Sequence, residues 1–298
     1  MASPESQQYL ARLRETPGFG KDGFDLEGLR AGMATRCEPA DPAVRCLPAE
    51  VGGIPGQWVL APGCDPDLRL MYLHGGGFVS GAAVRYLPLA AHLSAAAGCA
   101  AFLPDYRLAP EHPFPAGLED CVAAFVGMLS TGPEGPAPAR ATFIAGDSAG
   151  GGLTLSTMLV LRDRGLPLPN AAVPISPFAD MTLSGESIRS QEDLDPIMHP
   201  RCLPDFVTRY LGDADPRDPL ASPIFADYRG LPPMLIQVGE YEIIRDDAVR
   251  VAEKARADGV EVTLEIWEGM FHVFQSHEPL LPEAREAIAH AAALIREP

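Results

Sequence analysis

Six short β-rich runs of five or six residues, Arg69–His74, Cys99–Leu103, Ala141–Ala145, Ala171–Ile175, Met234–Val238 and Val262–Trp267, constrain this chain more than any other feature. Runs this short, bounded by helical stretches, read as buried strands. Between them, Tyr86–Ala97, Ala116–Ser130, Ala149–Arg164 and Arg245–Asp258 read as helices, and Glu283–Glu297 reads as a closing one. Strand alternating with helix predicts an α/β fold, a mostly parallel central sheet with helices on both faces. In such sheets chemistry gathers in the loops beyond the strands' carboxyl ends.

Two segments break the alternation. Residues 1 to about 48 carry helical faces of Tyr9, Leu10 and Leu13, then of Leu26, Leu29 and Met33, before any strand is expected. Residues 177 to about 232, rich in Pro and Asp, separate two core strands. Both suit a lid over the carboxyl-end face, and ordinary surface helices and loops would read the same way. Thr131–Ala139, the one Pro/Gly-rich piece of low complexity, reads as a surface loop.

With 298 residues the chain has ample length for a real core. Its 40 acidic against 23 basic residues, a formal charge of −17, argue against binding a phosphate backbone. At 47% hydrophobic and 21% charged it is globular in composition, without the apolar run of about 20 residues that a membrane span needs. The first thirty residues hold Glu5, Arg12, Arg14, Glu15 and Asp22 and no apolar core, which predicts no signal peptide and a cytoplasmic protein. None of the six cysteines stands in a C-x-x-C pair and no H-E-x-x-H is present, so free thiols and no metal are expected.

The sharpest local signal is Gly146-Asp147-Ser148-Ala149-Gly150, placed directly after an apolar run and at the head of a helical stretch. A serine on a tight strand-to-helix turn needs neighbours without bulk two positions to either side, and it then projects its hydroxyl above the sheet. His74-Gly75-Gly76-Gly77-Phe78 also follows a strand. Three glycines let backbone N–H groups turn toward a ligand, and with the N–H after the serine they can hold a developing oxyanion. A phosphate-cradling loop is the competing reading, but no G-K-[ST] or G-x-G-x-x-G accompanies it.

Taken with Asp105-Tyr106-Arg107-Leu108-Ala109-Pro110-Glu111-His112-Pro113-Phe114-Pro115-Ala116 and Leu231-Pro232-Pro233, these blocks resemble, in order, those of the bacterial hormone-sensitive-lipase-like (family IV) α/β-hydrolases. The resemblance spans about residue 50 to the C-terminus. It implies an α/β-hydrolase fold, carboxylester hydrolysis by a Ser-acid-His triad, no cofactor, and a cap. On that implication residues 1–48 form the N-terminal part of the cap, and residues 49–298 form the catalytic domain with a cap insertion at about 177–232.

A serine hydroxyl needs a base at neutral pH. His272 follows the strand Val262–Trp267, and the order Ser, acid, His suits this fold. His277 lies further on in a polar loop, His290 within the terminal helix reads as a surface or packing residue, His74 as an organiser of the glycine loop and His112 as structural. The acid departs from the family's spelling. Asp218-Pro219-Leu220 matches the usual Asp-Pro-Leu text but precedes the strand Met234–Val238, whereas the acid follows that strand, where Glu242 stands. Asp246 and Asp247 fall at the head of the next helix, where acidic residues are expected for electrostatic reasons alone.

The sequence therefore predicts a carboxylesterase for short- to medium-chain soluble esters, with Ser148, His272 and Glu242 as triad and Gly75, Gly76, Gly77 and Ala149 supplying the oxyanion region. A lactone or activated-amide hydrolase on the same triad, or a non-catalytic receptor on the same fold, are the alternatives. The expected partner is a small-molecule ester, with no nucleic acid and no membrane; a homodimer is compatible with the sequence.

Overall fold

The computed structural model describes residues 2–16 and 18–296. Among these, eight strands form one sheet in the order β1-β2-β4-β3-β7-β8-β9-β10. They are β1 (Arg45–Val51), β2 (Ile54–Leu60), β3 (Asp65–Leu73), β4 (Cys99–Pro104), β7 (Ala141–Asp147), β8 (Ala171–Ile175), β9 (Met234–Tyr241) and β10 (Val262–Phe271). From β4 to β10 every neighbouring pair is parallel, while β1 with β2 and β2 with β4 are antiparallel. The α/β-hydrolase fold read from the sequence is the fold observed.

The reason lies in the burial pattern. Strands β4, β7 and β8 are buried at every residue, as central parallel strands covered on both faces must be. Successive residues of β3 feed two different cores, Met71 and Leu73 on one face, Leu70 and Tyr72 on the other. The first core is closed by α4 (Ala116–Met128), α5 (Ala149–Asp163) and α8 (Arg245–Ala257), the second by α3 (Leu87–Ala97) and α9 (Pro282–Arg296). For α9 the expected end at Glu297 lies outside the described residues.

Three expectations are corrected. The antiparallel pair β1 and β2 was not foreseen, and β1 begins inside the segment expected to lack strands. It is half exposed and carries Pro48, so it lacks the continuous apolar run that marks the central strands. The stretch Thr131–Ala139 is not wholly loop, because β5 (Thr131–Gly132) and β6 (Gly135–Pro136) pair as a small antiparallel ribbon. Strands β3, β9 and β10 also differ from the runs that predict them: all three are longer, Val262–Trp267 at the sheet edge is partly exposed rather than buried, and the extension of β10 to Phe271 delivers His272 to the sheet's carboxyl edge.

The remaining elements, α1 (Pro4–Leu13), α2 (Leu26–Met33), α6 (Ser187–Ser190) and α7 (Leu203–Leu211), belong to the two irregular segments. The segments are joined to each other: Phe19 N–H donates to Ile197 O at 2.8 Å and His199 N–H to Phe19 O at 2.9 Å. Arg30 anchors α2 to the body through Val79 O at 2.8 Å, Ala109 O at 2.8 Å and both carboxylate oxygens of Glu111. No described helix is long and apolar enough to cross a membrane.

Candidate active site

Ser148 sits between β7 and α5 with φ 53° and ψ −119°, a conformation unfavourable for a residue with a side chain. The surrounding bonds hold it there. Its N–H donates to Ile175 O at 2.9 Å, and its carbonyl accepts from Gly152 N–H at 3.0 Å and Phe178 N–H at 2.9 Å. The flanking glycines are demanded by space: a Cβ on Gly146 would lie 2.4 Å from Gly150 O, and one on Gly150 would lie 2.0 Å from Leu73 O. Gly151 and Gly152 are equally confined, with a Cβ meeting Ile175 O at 2.9 Å and Phe178 O at 2.3 Å. The serine thus stands at the positive end of a helix.

The residues expected as base and acid are brought together. His272 Nδ1 lies 2.8 Å from Glu242 Oε2, and Glu242 is fully buried. The other carboxylate oxygen, Oε1, accepts from Ser176 Oγ at 2.7 Å and from the Gly239 N–H. With Oε1 satisfied in this way, Oε2 is left for the imidazole and fixes the ring with Nε2 turned outward. Burial pulls the His272 pKa down, but the charge and hydrogen bond of Glu242, helped by the fields of Asp195 and Asp147, outweigh it and hold the pKa above the ordinary 6.5. Among the described residues no hydrogen bond joins Ser148 Oγ to this ring; both line one cavity, and such pairs often close only around a substrate.

That cavity, of about 430 Å³, opens beyond the carboxyl ends of β3, β7 and β10. Gly76 and Gly77 form part of it, with φ values of 119° and 63° that glycine alone adopts without strain. The sequence left open which N–H groups of this loop face the cavity, and the structure separates Gly75 from the other two. Its N–H is committed to Asp147 Oδ1 at 3.1 Å and its carbonyl to His74 Nδ1 at 2.8 Å, so it tethers the loop and offers no donor. The N–H groups of Gly76, Gly77 and Ala149 have no acceptor among the described residues, which leaves them as the available donors. Asp147 also accepts from Tyr72 Oη at 2.8 Å; burial pushes its pKa up to about 6 against these bonds.

The outer wall of the cavity comes from the two irregular segments: Phe19, Leu29 and Met33 from the first, and Ile197, Met198, Leu203 and Phe206 from the second. Asp195 ties this wall to the acid. Its Oδ1 accepts from Ile197 N–H at 2.8 Å and Met198 N–H at 3.1 Å, while its Oδ2 accepts from Ile243 N–H at 2.9 Å, next to Glu242.

The family follows from the residues that build this site. The model of the α/β-hydrolase fold matches residues 70–276, from the strand before the glycine loop to just past His272. The chain belongs to the hormone-sensitive-lipase-like α/β-hydrolases. It is 44% identical over 246 residues to an acetyl-hydrolase of Streptomyces hygroscopicus, covering 83% of this chain and 81% of that one. A crystal structure of EstE5 soaked with p-nitrophenyl butyrate superposes with a TM-score of 0.92 at 42% identity, covering 99% of each chain. An esterase described as a member of the bacterial hormone-sensitive lipase family gives 0.88 at 39%, covering 100% of this chain and 99% of its own. This hydrolase is accordingly a carboxylic ester hydrolase.

The other candidates of the sequence make contacts elsewhere. Asp218 Oδ1 caps a turn through Leu220 N–H at 2.8 Å, and Asp246 Oδ2 accepts Ser187 N–H at 2.9 Å. Asp247 holds Ala179 and Asp180 N–H at 2.8 and 2.9 Å. His290 lies exposed, 2.7 Å from Glu265. His277 was misplaced, for the 3-10 turn Phe274–His277 brings it back to the cavity, packed against Tyr9 and Phe271 with ring centroids at 5.0 and 5.4 Å. Ser176 and Asp195 escaped sequence reading altogether. Only the rule that strand ends carry function would have drawn attention to Ser176, which follows β8.

Proposed function

We propose that this hydrolase cleaves short- to medium-chain soluble esters through a Ser148–His272–Glu242 triad and an acyl-enzyme intermediate. The observation that carries the reading is the 2.8 Å contact of His272 Nδ1 with the buried Glu242, in a ring that shares its cavity with Ser148. Ser148 Oγ attacks the ester carbonyl carbon while His272 Nε2 takes its proton; the imidazolium is stabilised by Glu242. The carbonyl oxygen becomes an oxyanion, held by the N–H groups of Gly76, Gly77 and Ala149. Collapse breaks the bond to the alcohol oxygen, which receives the proton from His272. Water then repeats the sequence on the acyl-serine, releasing the acid.

The two irregular segments, residues 1–48 and about 177–232, act in this reading as a cap whose apolar side chains shelter the acyl and alcohol groups from water. The apolar outer wall and a volume of about 430 Å³ suit uncharged chains of modest length. The test is a series of p-nitrophenyl esters of increasing acyl length, with Ser148→Ala as the blank. Turnover should vanish in the variant, along with covalent labelling by an organophosphonate, and decline in the wild type for long chains. Normal labelling of folded Ser148→Ala would overturn the assignment.

A further inference from the structure

One wall of the cavity carries a charge that ester chemistry does not require. Arg85 ends the 3-10 turn Ala83–Arg85 and lines the cavity while remaining exposed at its mouth. It is the only arginine or lysine among the described lining residues. Its Nη1 donates to Cys37 Sγ at 2.8 Å, and among the described residues it pairs with no carboxylate. A thiol is a weak, uncharged acceptor, so most of the guanidinium's donor capacity stays open.

The other ionisable groups of the cavity do not cancel this charge. Asp147 is the only carboxylate among the described lining residues, and its oxygens are engaged by Tyr72, by the Gly75 N–H and, at 3.5 Å, by Tyr86 Oη. His272 is turned to Glu242. His277 faces the same space; burial, with the charge of Arg85 adding to it, keeps its pKa below the ordinary value. Among the described lining residues Arg85 is therefore an uncompensated cation at the rim of a largely apolar cavity, in a chain whose formal net charge is −17.

We propose that Arg85 is an anion subsite, and that the preferred substrates are esters bearing a carboxylate or similar oxyanion remote from the scissile bond. The inference rests on the function proposed above. The chemistry sets the arrangement. An ionised group is costly to place among apolar side chains, so it stays at the mouth while the uncharged ester enters toward Ser148. A planar guanidinium with free N–H groups matches an oxyanion in two-point geometry, which an ammonium does not.

Two matched pairs of esters test this in the full chain: mono-p-nitrophenyl adipate against p-nitrophenyl hexanoate, and 4-carboxyphenyl acetate against phenyl acetate. The first places the carboxylate on the acyl arm, the second on the leaving group. The quantity read is kcat/KM for the charged ester divided by that for its neutral partner. Arg85→Gln should lower this ratio by about threefold to tenfold on at least one arm, as expected for a partly exposed charge pair. Arg85→Lys should retain more of it, and added salt should shrink it in the wild type. A ratio that Arg85→Gln leaves unmoved on both arms would overturn the subsite, whatever the variant does to overall turnover. Ser148→Ala separates the two readings: persistent turnover there defeats the proposed nucleophile, whereas lost turnover with an unmoved ratio defeats the subsite alone.

Discussion

The floor of the cavity, built from Gly76, Gly77 and the turn at Ser148, is shaped by backbone, whereas its outer wall, built from Phe19, Ile197, Met198 and Phe206, is shaped by side chains. On the floor an added methyl group has nowhere to go, and at Ser148 the chain accepts an unfavourable conformation to aim one hydroxyl. On the wall, Phe206 packs against Phe19 and Phe24 with centroids 5.9 and 4.9 Å apart, an arrangement other apolar residues could approximate. Chemistry on the floor should therefore fail abruptly when altered. Selectivity at the wall should change by degrees.

The largest expected effect is Ser148→Ala, which removes the covalent route and should reduce kcat for p-nitrophenyl butyrate by several orders of magnitude, about 10⁴-fold or more, with circular dichroism unchanged. Next comes Glu242→Gln. The amide keeps the shape but does not stabilise the imidazolium, and about 10²–10⁴-fold should be lost from kcat. Asp218→Asn and Asp246→Asn serve as contrasts, and a crippled Asp218 variant beside an active Glu242→Gln would relocate the acid.

Gly77 joins the two regions, since a Cβ there would meet Phe206 Cδ1 at 2.2 Å in addition to the strain of φ 63°. Gly77→Ala should cost about 10²-fold in kcat by displacing an oxyanion donor, while Phe206→Ala should mainly change KM for longer acyl chains, by about threefold to tenfold. The double variant sharpens the comparison. If removing Phe206 restores activity to Gly77→Ala, crowding from the wall was responsible; if it does not, backbone conformation on the floor was.

These two regions also differ in how far they could be read beforehand. Ser148 and the glycines could be placed from sequence because a required backbone geometry narrows the choice to particular residues, and His272 because it follows a run rich in β-branched and aromatic residues. Glu242 needed the strand boundary as well as the motif text, since Asp218-Pro219-Leu220 competes for the eye. Ser176 and Asp195 were not legible. Ser176 holds a carboxylate 66 residues away in the chain, and Asp195, besides its local turn bonds to Ile197 and Met198, reaches Ile243 48 residues away, so neither long-range contact has a spacing that a motif could show. Which glycine N–H groups face the cavity was not legible for a related reason: sequence shows that an N–H is free to turn, not which acceptor claims it, and Asp147 claims that of Gly75.

A further expected effect is on pH dependence. The Glu242 carboxylate raises the His272 pKa above 6.5, and only the neutral ring can accept the serine proton. The acidic limb of kcat/KM should therefore have its midpoint above 6.5, with activity lost as pH falls through it. Ser176→Ala, which leaves Glu242 in place but loosens it, should lower kcat about tenfold and shift the limb toward acid. A midpoint below 6.5 in the wild type would show that burial, rather than Glu242, governs the ring.

The glycines at the head of α5 bear on any attempt to make this enzyme more heat-resistant. Replacing glycine by alanine within a helix ordinarily adds about 1 kcal/mol, and Gly150, Gly151 and Gly152 look like three adjacent opportunities. Each is blocked by a carbonyl oxygen of a neighbouring segment, Leu73, Ile175 or Phe178. The helix is weakest in intrinsic propensity where its docking against the sheet is closest. Thermal engineering must begin further along α5 or elsewhere, because the turn that exposes the serine hydroxyl leaves no spare volume for it.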